Sequence, residues 1–242
     1  MRATYRKELK EFLHNNFEVD ESDLTSITSK EGIILTDGSH VFKAITFLKE
    51  RDKFLKKYLI SINSKSERIK THISLIDTKQ TILHTYFQLK ALSSSVKKYE
   101  PTKMLDFDVF LSKNLVIIKT PYVDISRYTG HREDEIITLL KELKEMGWIC
   151  FDLSPKNLKL TKSDNNLLLI DIGYFYIPYY EKLYKTMCRR AFISMKFACD
   201  PNVKHFLRGA NKDESFSYLK DKDKYKDEFD SFYKKVVNDD QK

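Results

Sequence analysis

Gly147-Trp148-Ile149-Cys150-Phe151-Asp152-Leu153-Ser154-Pro155-Lys156-Asn157, continued by Leu167-Leu168-Leu169-Ile170-Asp171-Ile172-Gly173, is the stretch on which the reading of this chain turns. It has the form D-L-x-x-x-N, then a hairpin, then D-x-G. Between its two halves lie an extended run (Asn157 to Leu160), a polar turn (Thr161 to Asn166) and an apolar strand (Leu167 to Ile170). An antiparallel hairpin of that length returns Asp171 close to Asn157. Gly173 gives the backbone freedom needed just after Asp171. Upstream, Arg132 to Met146 carries Ile136, Leu139, Leu140 and Leu143 at helical spacing, with Gly147 as the stop.

In order and spacing these residues resemble the catalytic and metal-binding loops of the protein-kinase-like phosphotransferases. Such chemistry is mostly positioning and charge neutralisation, served by a carboxylate beside the attacking hydroxyl and by oxygen ligands for hard Mg²⁺ ions. The resemblance implies an ATP- and Mg²⁺-dependent enzyme in which Asp152 orients or deprotonates the acceptor hydroxyl. Asn157 and Asp171 would hold metal, and Lys156, four residues after Asp152, would reach the transferring phosphate. The implied fold is α+β: a two-lobed kinase-like domain over 1–242, with an antiparallel-sheet N-lobe (about 1–122) and a reduced, mainly helical C-lobe (about 123–242). The resemblance covers roughly residues 24 to 200, with specific motifs only between 147 and 173.

Within the first lobe, Leu24 to Thr28, Ile33 to Thr36 and Val41 to Phe47 read as strands, with Asp37-Gly38 as a hairpin turn. Val41-Phe42-Lys43-Ala44-Ile45 resembles the strand whose lysine holds the ATP phosphates, which makes Lys43 the candidate phosphate ligand. The loop Ser29-Lys30-Glu31-Gly32 stands where the family has its glycine-rich lid. It has one glycine, Gly32, and Lys30 adds charge there. Glu67, at the start of a helix expected over Glu67 to Ile76, and Glu50 are alternative partners for Lys43. Leu115-Val116-Ile117-Ile118 is a buried-type strand running into Lys119-Thr120-Pro121-Tyr122-Val123, which resembles the adenine-binding hinge and nominates Thr120 and Tyr122. Residues 1 to 20 read as a leading helix that packs through Leu9, Phe12 and Leu13.

Departures from the family are concentrated around the site. Its usual His-Arg before the catalytic aspartate is Cys150-Phe151 here, so the histidine's scaffolding bonds and the arginine pocket for a phosphorylated loop are both missing. Ser154, two after Asp152, is similar to the Rio group. No A-P-E follows Asp171, and Ile172 to Lys242 is too short for a full C-lobe. The chain is therefore similar to trimmed kinases, such as small bacterial effector kinases and lipopolysaccharide-core sugar kinases. The acceptor is expected to be a protein Ser/Thr hydroxyl, with a small-molecule or sugar hydroxyl as the alternative. A pseudokinase acting as a nucleotide-binding or protein-interaction scaffold is the reading from another class.

The 242 residues suffice for one two-lobed domain, and the 13% aromatic share argues against disorder. No apolar run reaches membrane-spanning length, and the charged start is not a signal peptide, so the expected location is the cytoplasm, or a host cytosol for an effector. Cys150, Cys188 and Cys199 lack metal spacing and are expected to be reduced and buried. The net charge of +8 is spread among acids, with Lys65, Arg68, Lys70, Lys97, Lys98 and Lys103 as the more basic part. That bias suits a solvated surface or an acidic partner better than nucleic acid. Arg189-Arg190, on a helix with Leu183, Met187, Ala191 and Met195 as its apolar face, is expected to be a surface pair. Beyond the charged run Lys220 to Lys224, the stripe Tyr225, Phe229, Phe232, Tyr233 and Val236 predicts a terminal helix.

Overall fold

The computed structural model describes residues 2–27, 32–46, 78–113, 115–173, 175–211 and 215–238. Lys30, Glu50, Glu67, the helix expected from Glu67 and the basic residues Lys65, Arg68 and Lys70 lie outside the described residues. The fold class is the expected one, α+β, with one compact unit built on an antiparallel sheet and a second that is mainly helical. The first unit comprises 1–93 and 107–122; the second comprises 94–106 and 123–242.

In the first unit, β1 (Thr25–Ile27), β2 (Ile33–Thr36), β3 (His40–Thr46), β4 (Asp108–Leu111) and β5 (Leu115–Pro121) form one sheet in the order β1-β2-β3-β5-β4, antiparallel throughout. Period-two alternation divides it into two faces. Ile33, Leu35, Phe42, Ala44, Leu115 and Ile117 are buried against Leu9 and Leu13 of α1 (Arg2–Phe17), the leading helix read from the sequence. Phe12 and Phe17 complete that cover with Phe110. Lys43 is paired in register with Ile34 and Ile118, and so belongs to the face turned away from α1. The β2–β3 turn is an Asx turn, in which Asp37 Oδ1 accepts the N–H of Ser39 (2.8 Å) and of His40 (2.6 Å).

The long helix α2 (Thr78–Tyr99) contributes to both units, which divide it between Ser93 and Ser94. In the second unit it ends at Glu100, in the left-handed region (φ 46°). The loop that follows is tied to α3 (Glu133–Glu145). Glu142 accepts from the N–H and hydroxyl of Thr102 (both 2.7 Å) and from the N–H of Lys103 (3.1 Å). Glu135 accepts from Lys103 Nζ (3.0 Å), Arg132 Nη1 (2.6 Å) and the Leu167 N–H (2.8 Å). Burial alone would raise the Glu135 carboxyl, but these three donors hold it below its ordinary value. Lys103, read from the sequence as part of a basic surface, is instead 9% exposed and ion-paired.

Helix α3 buries Ile136, Ile137, Leu139, Leu140 and Leu143. Gly147, at φ 77°, ends it in the left-handed conformation that favours glycine. The chain then enters β7 (Trp148–Cys150), which pairs with β10 (Tyr176–Pro178). A three-stranded sheet holds β6 (Ile125–Arg127), β8 (Leu158–Thr161) and β9 (Leu167–Leu169) in the order β6-β8-β9. Three helices follow: α4 (Glu181–Lys196), α5 (Val203–Gly209) and α6 (Lys222–Val237). The expected terminal stripe is real, for Phe229 and Phe232 pack with Phe192 of α4, and Phe229 packs with Phe216 as well.

Arg189 and Arg190 correct the sequence reading. They are 2% and 9% exposed, not a surface pair. The carbonyls around the end of α5 have no further helical turn to bond, and the guanidinium groups supply donors. Arg189 donates to Ala210 O (2.9 Å) with the Phe216 and Phe229 rings against its plane, while Arg190 donates to Leu207 O (3.0 Å) and Asn211 Oδ1 (3.1 Å). Cys199 is a second correction, being exposed, whereas Cys150 and Cys188 are buried as expected. Among the described residues no helix is long and apolar enough to cross a membrane.

Candidate active site

The loop between β7 and β8 carries Asp152, Ser154, Lys156 and Asn157. Its backbone is held from several directions, which makes it a rigid mount. The Phe151 N–H donates to Phe175 O (3.0 Å), and the Cys150 N–H meets Met187 Sδ (3.1 Å) on α4. Ser194 Oγ, also on α4, donates to Leu153 O (2.6 Å). Ser154 O accepts the N–H groups of Asn157 (2.9 Å) and Leu158 (3.2 Å), so the loop closes as a turn of helix-like bonds. Ser194 was not anticipated, although a serine inside the otherwise apolar face of α4 is the kind of signal that marks a buried polar contact.

Asn157 is 5% exposed, and its Nδ2 donates to the Asp152 carbonyl (2.9 Å). With its amide N–H used that way, the side-chain oxygen is the atom left for a ligand. The Ile170 N–H donates to the Asn157 carbonyl (3.0 Å), one step beyond the Leu158↔Leu169 pair. The hairpin thus delivers Asp171 to the neighbourhood of Asn157, as its length in the sequence predicts. Asp171 sits at the middle of a three-residue turn closed by the Ile172 N–H on Ile170 O (3.2 Å).

Asp152 is largely enclosed, at 14% side-chain exposure, and its Oδ2 pairs with Lys156 Nζ at 3.3 Å. Lys156 itself is 54% exposed. The second unit therefore brings together Asp152, Lys156, Asn157 and Asp171.

The remaining candidates belong to the first unit. Lys43 and Thr120 share the sheet face that α1 leaves uncovered, since Lys43 pairs with Ile118 and Val41 with Thr120. Beyond the Asp108↔Lys119 pair, β5 runs on through Thr120 and Pro121, which pair with Val41 and His40 of β3. The Tyr122 N–H donates to Ser39 O (2.8 Å), and the residue is exposed. Gly32 has a packing reason to be glycine: a Cβ there would meet the Ala44 carbonyl oxygen at 2.7 Å.

The donor set fits a hard cation. Asn157 and Asp171 offer oxygen atoms only, with neither thiolate nor imidazole beside them in the motif. Among the described residues no group of three or more His, Cys, Asp or Glu side chains could hold a metal unaided. An ion held by Asn157 and Asp171 would take its other ligands from phosphate oxygens and water, the usual habit of Mg²⁺ in phosphotransferases.

No protein-family model and no curated protein matches the chain. Among solved structures it is similar to WbdD, in its co-crystal structure with the kinase inhibitor LY294002 and in a high-resolution crystal structure. Each gives a TM-score of 0.44 at 11% sequence identity, covering 86% and 87% of this chain and 44% and 45% of that one. The chain thus spans less than half the length of the solved chains it matches.

Proposed function

We propose that this chain is a Mg²⁺- and ATP-dependent phosphotransferase that moves the γ-phosphate of ATP to a hydroxyl acceptor. The observation that carries this reading is the Ile170 N–H to Asn157 O bond, which supports Asn157 and Asp171 as neighbouring metal ligands next to the Asp152 loop. In the proposed reaction Asp152 takes or orients the hydroxyl proton, Asn157 and Asp171 hold metal, and Lys156 neutralises the transferring phosphate. Lys43, with Lys30 and Gly32 in the lid, would hold the nucleotide phosphates, and Thr120 with Tyr122 would meet the base. Protein Ser/Thr is the acceptor class to test first, and a sugar or other small-molecule hydroxyl second.

A second reading, a nucleotide-binding scaffold without transfer, is favoured by the ion pair that Lys156 makes with the Asp152 carboxylate. Calorimetry of ATP with and without Mg²⁺, on the wild type and Asp171→Ala, separates the readings when followed by labelled-ATP transfer. Mg²⁺-dependent binding weakened by Asp171→Ala, with transfer lost in Asp152→Asn, is the expected result. Binding without transfer would leave the scaffold. No binding to the folded wild type would remove both.

A further inference from the structure

Two cations oppose each other across β6 and β8. Arg127 and Lys159 are directly paired in register, so their side chains leave the same face of the sheet. Arg127 is exposed and Lys159 half-buried. Neither side chain has a hydrogen-bond or ion-pair partner among the described residues. Asp124, beyond the other end of β6, pairs with Lys162 (3.8 Å). Like charges directly opposite one another weaken a strand pair, so the sheet gains no stability from holding both. Such a local conflict is what a binding site leaves in a fold. Its place is telling. Lys159 follows Asn157 by two residues, and the Ile170 N–H bond to Asn157 O continues the β8–β9 alignment back to Asn157. Asn157 and Lys159 therefore share one face, about 7 Å apart along the extended chain. β8 runs away from the Asp152 loop, so Lys159 and Arg127 stand beyond Asn157 along the strand. All of these residues belong to the second unit.

We propose that Arg127 and Lys159 form a clamp for the phosphate chain of the nucleotide, on the same face as Asn157. The clamp rests on the phosphotransferase reading above and adds a binding site to it. A nucleotide's phosphate chain carries several negative charges, more than one divalent ion at Asn157 and Asp171 would neutralise. Arg127 brings a planar fork of donors that matches phosphate oxygens, and Lys159 brings a compact charge beside it. With no carboxylate bound to either, both can receive phosphate without first giving up a partner. The phosphate in turn supplies the opposite charge that the Arg127–Lys159 pair lacks. Strand alternation sets the arrangement: one face of β8 presents first the amide of Asn157 and then the two cations.

The test uses the full chain as wild type, Arg127→Gln, Lys159→Gln, Lys159→Arg and the double glutamine variant. Calorimetry reads affinity for MgADP and for the magnesium complex of inorganic tripolyphosphate, at low and at raised salt, with melting temperature alongside. Each glutamine variant is expected to lose about tenfold or more in affinity for both ligands, the size of a lost charge-assisted hydrogen bond. Binding of tripolyphosphate should depend less on salt in the double variant than in the wild type. Melting temperature should hold or rise in the glutamine variants, because each relieves the like-charge pair. Packing by the two stems predicts the reverse, and a lower melting temperature with unchanged affinity overturns the inference. Lys159→Arg keeps the charge and is expected to keep most of the affinity. Equal losses in Lys159→Arg and Lys159→Gln also overturn the clamp. A folded double variant with wild-type affinity for both ligands overturns it too and leaves the phosphotransferase reading standing. So does a wild type that binds MgADP but not tripolyphosphate. A folded wild type that binds neither ligand defeats the reading itself, and the clamp with it.

Discussion

Lys156 rests on Asp152 through an ion pair whose lysine is more than half exposed, and that exposure decides what the pair does. Exposed pairs contribute about 0–1 kcal/mol to stability, so Lys156→Ala should leave urea unfolding nearly unchanged. If Lys156 neutralises the transferring phosphate, the same variant should lose about tenfold or more in kcat while MgATP binding, read by calorimetry, stays close to wild type. Glu135 is the opposite case. Its carboxylate serves Lys103, Arg132 and the Leu167 N–H, and Lys103 is nearly buried. Glu135→Gln should cost about 2–3 kcal/mol in urea unfolding at pH 7. The folded carboxyl lies below its ordinary 4.5, so its contribution is fully present above that pH and is lost as the pH falls through the lowered value. The gap between wild type and Glu135→Gln should therefore close in acid. The acid and amide types at 152, 157 and 171 could be read directly from the sequence. The burial of Lys103, Arg189 and Arg190 could not, because it depends on carboxylates and carbonyls contributed by distant parts of the chain.

At the scale of elements, local pattern and outcome agree where one helix or hairpin contains its own explanation. The α3 periodicity, the Gly147 stop, the β2–β3 turn and the β8–β9 hairpin all follow from neighbours in sequence. The pairing of β7 with β10 and of β6 with β8 joins distant stretches, and the three-residue strands β6, β7 and β10 have too few residues to announce themselves. The long α2 was not anticipated either. Helix α1 was, and it offers a clean measurement. Leu13 is fully buried against the sheet, so Leu13→Ala should destabilise by about 2–5 kcal/mol, seen as a lower urea midpoint with unchanged slope.

Across the whole molecule, the three cysteines report on the packing of the second unit in one experiment. Cys199 is exposed, while Cys150 and Cys188 are buried and their thiols are held up by that burial. A thiol reagent should titrate one cysteine quickly in the native protein and three in guanidinium. Fast reaction of a second thiol would mean that the loop around Cys150 or the core of α4 opens readily.

The β8–β9 hairpin carries one more consequence. The nearness of Asn157 and Asp171 is set at the open end of the hairpin by the Leu158↔Leu169 pairing, while Thr161 to Asn166 lie at its far end. The turn can grow or shrink without moving either residue, provided the strands keep their alignment. Chains that share this arrangement need not share the gap between the two halves of the motif. A pattern that lets the gap vary, and demands instead an apolar strand ending in Asp, will find relatives that a fixed spacing would miss.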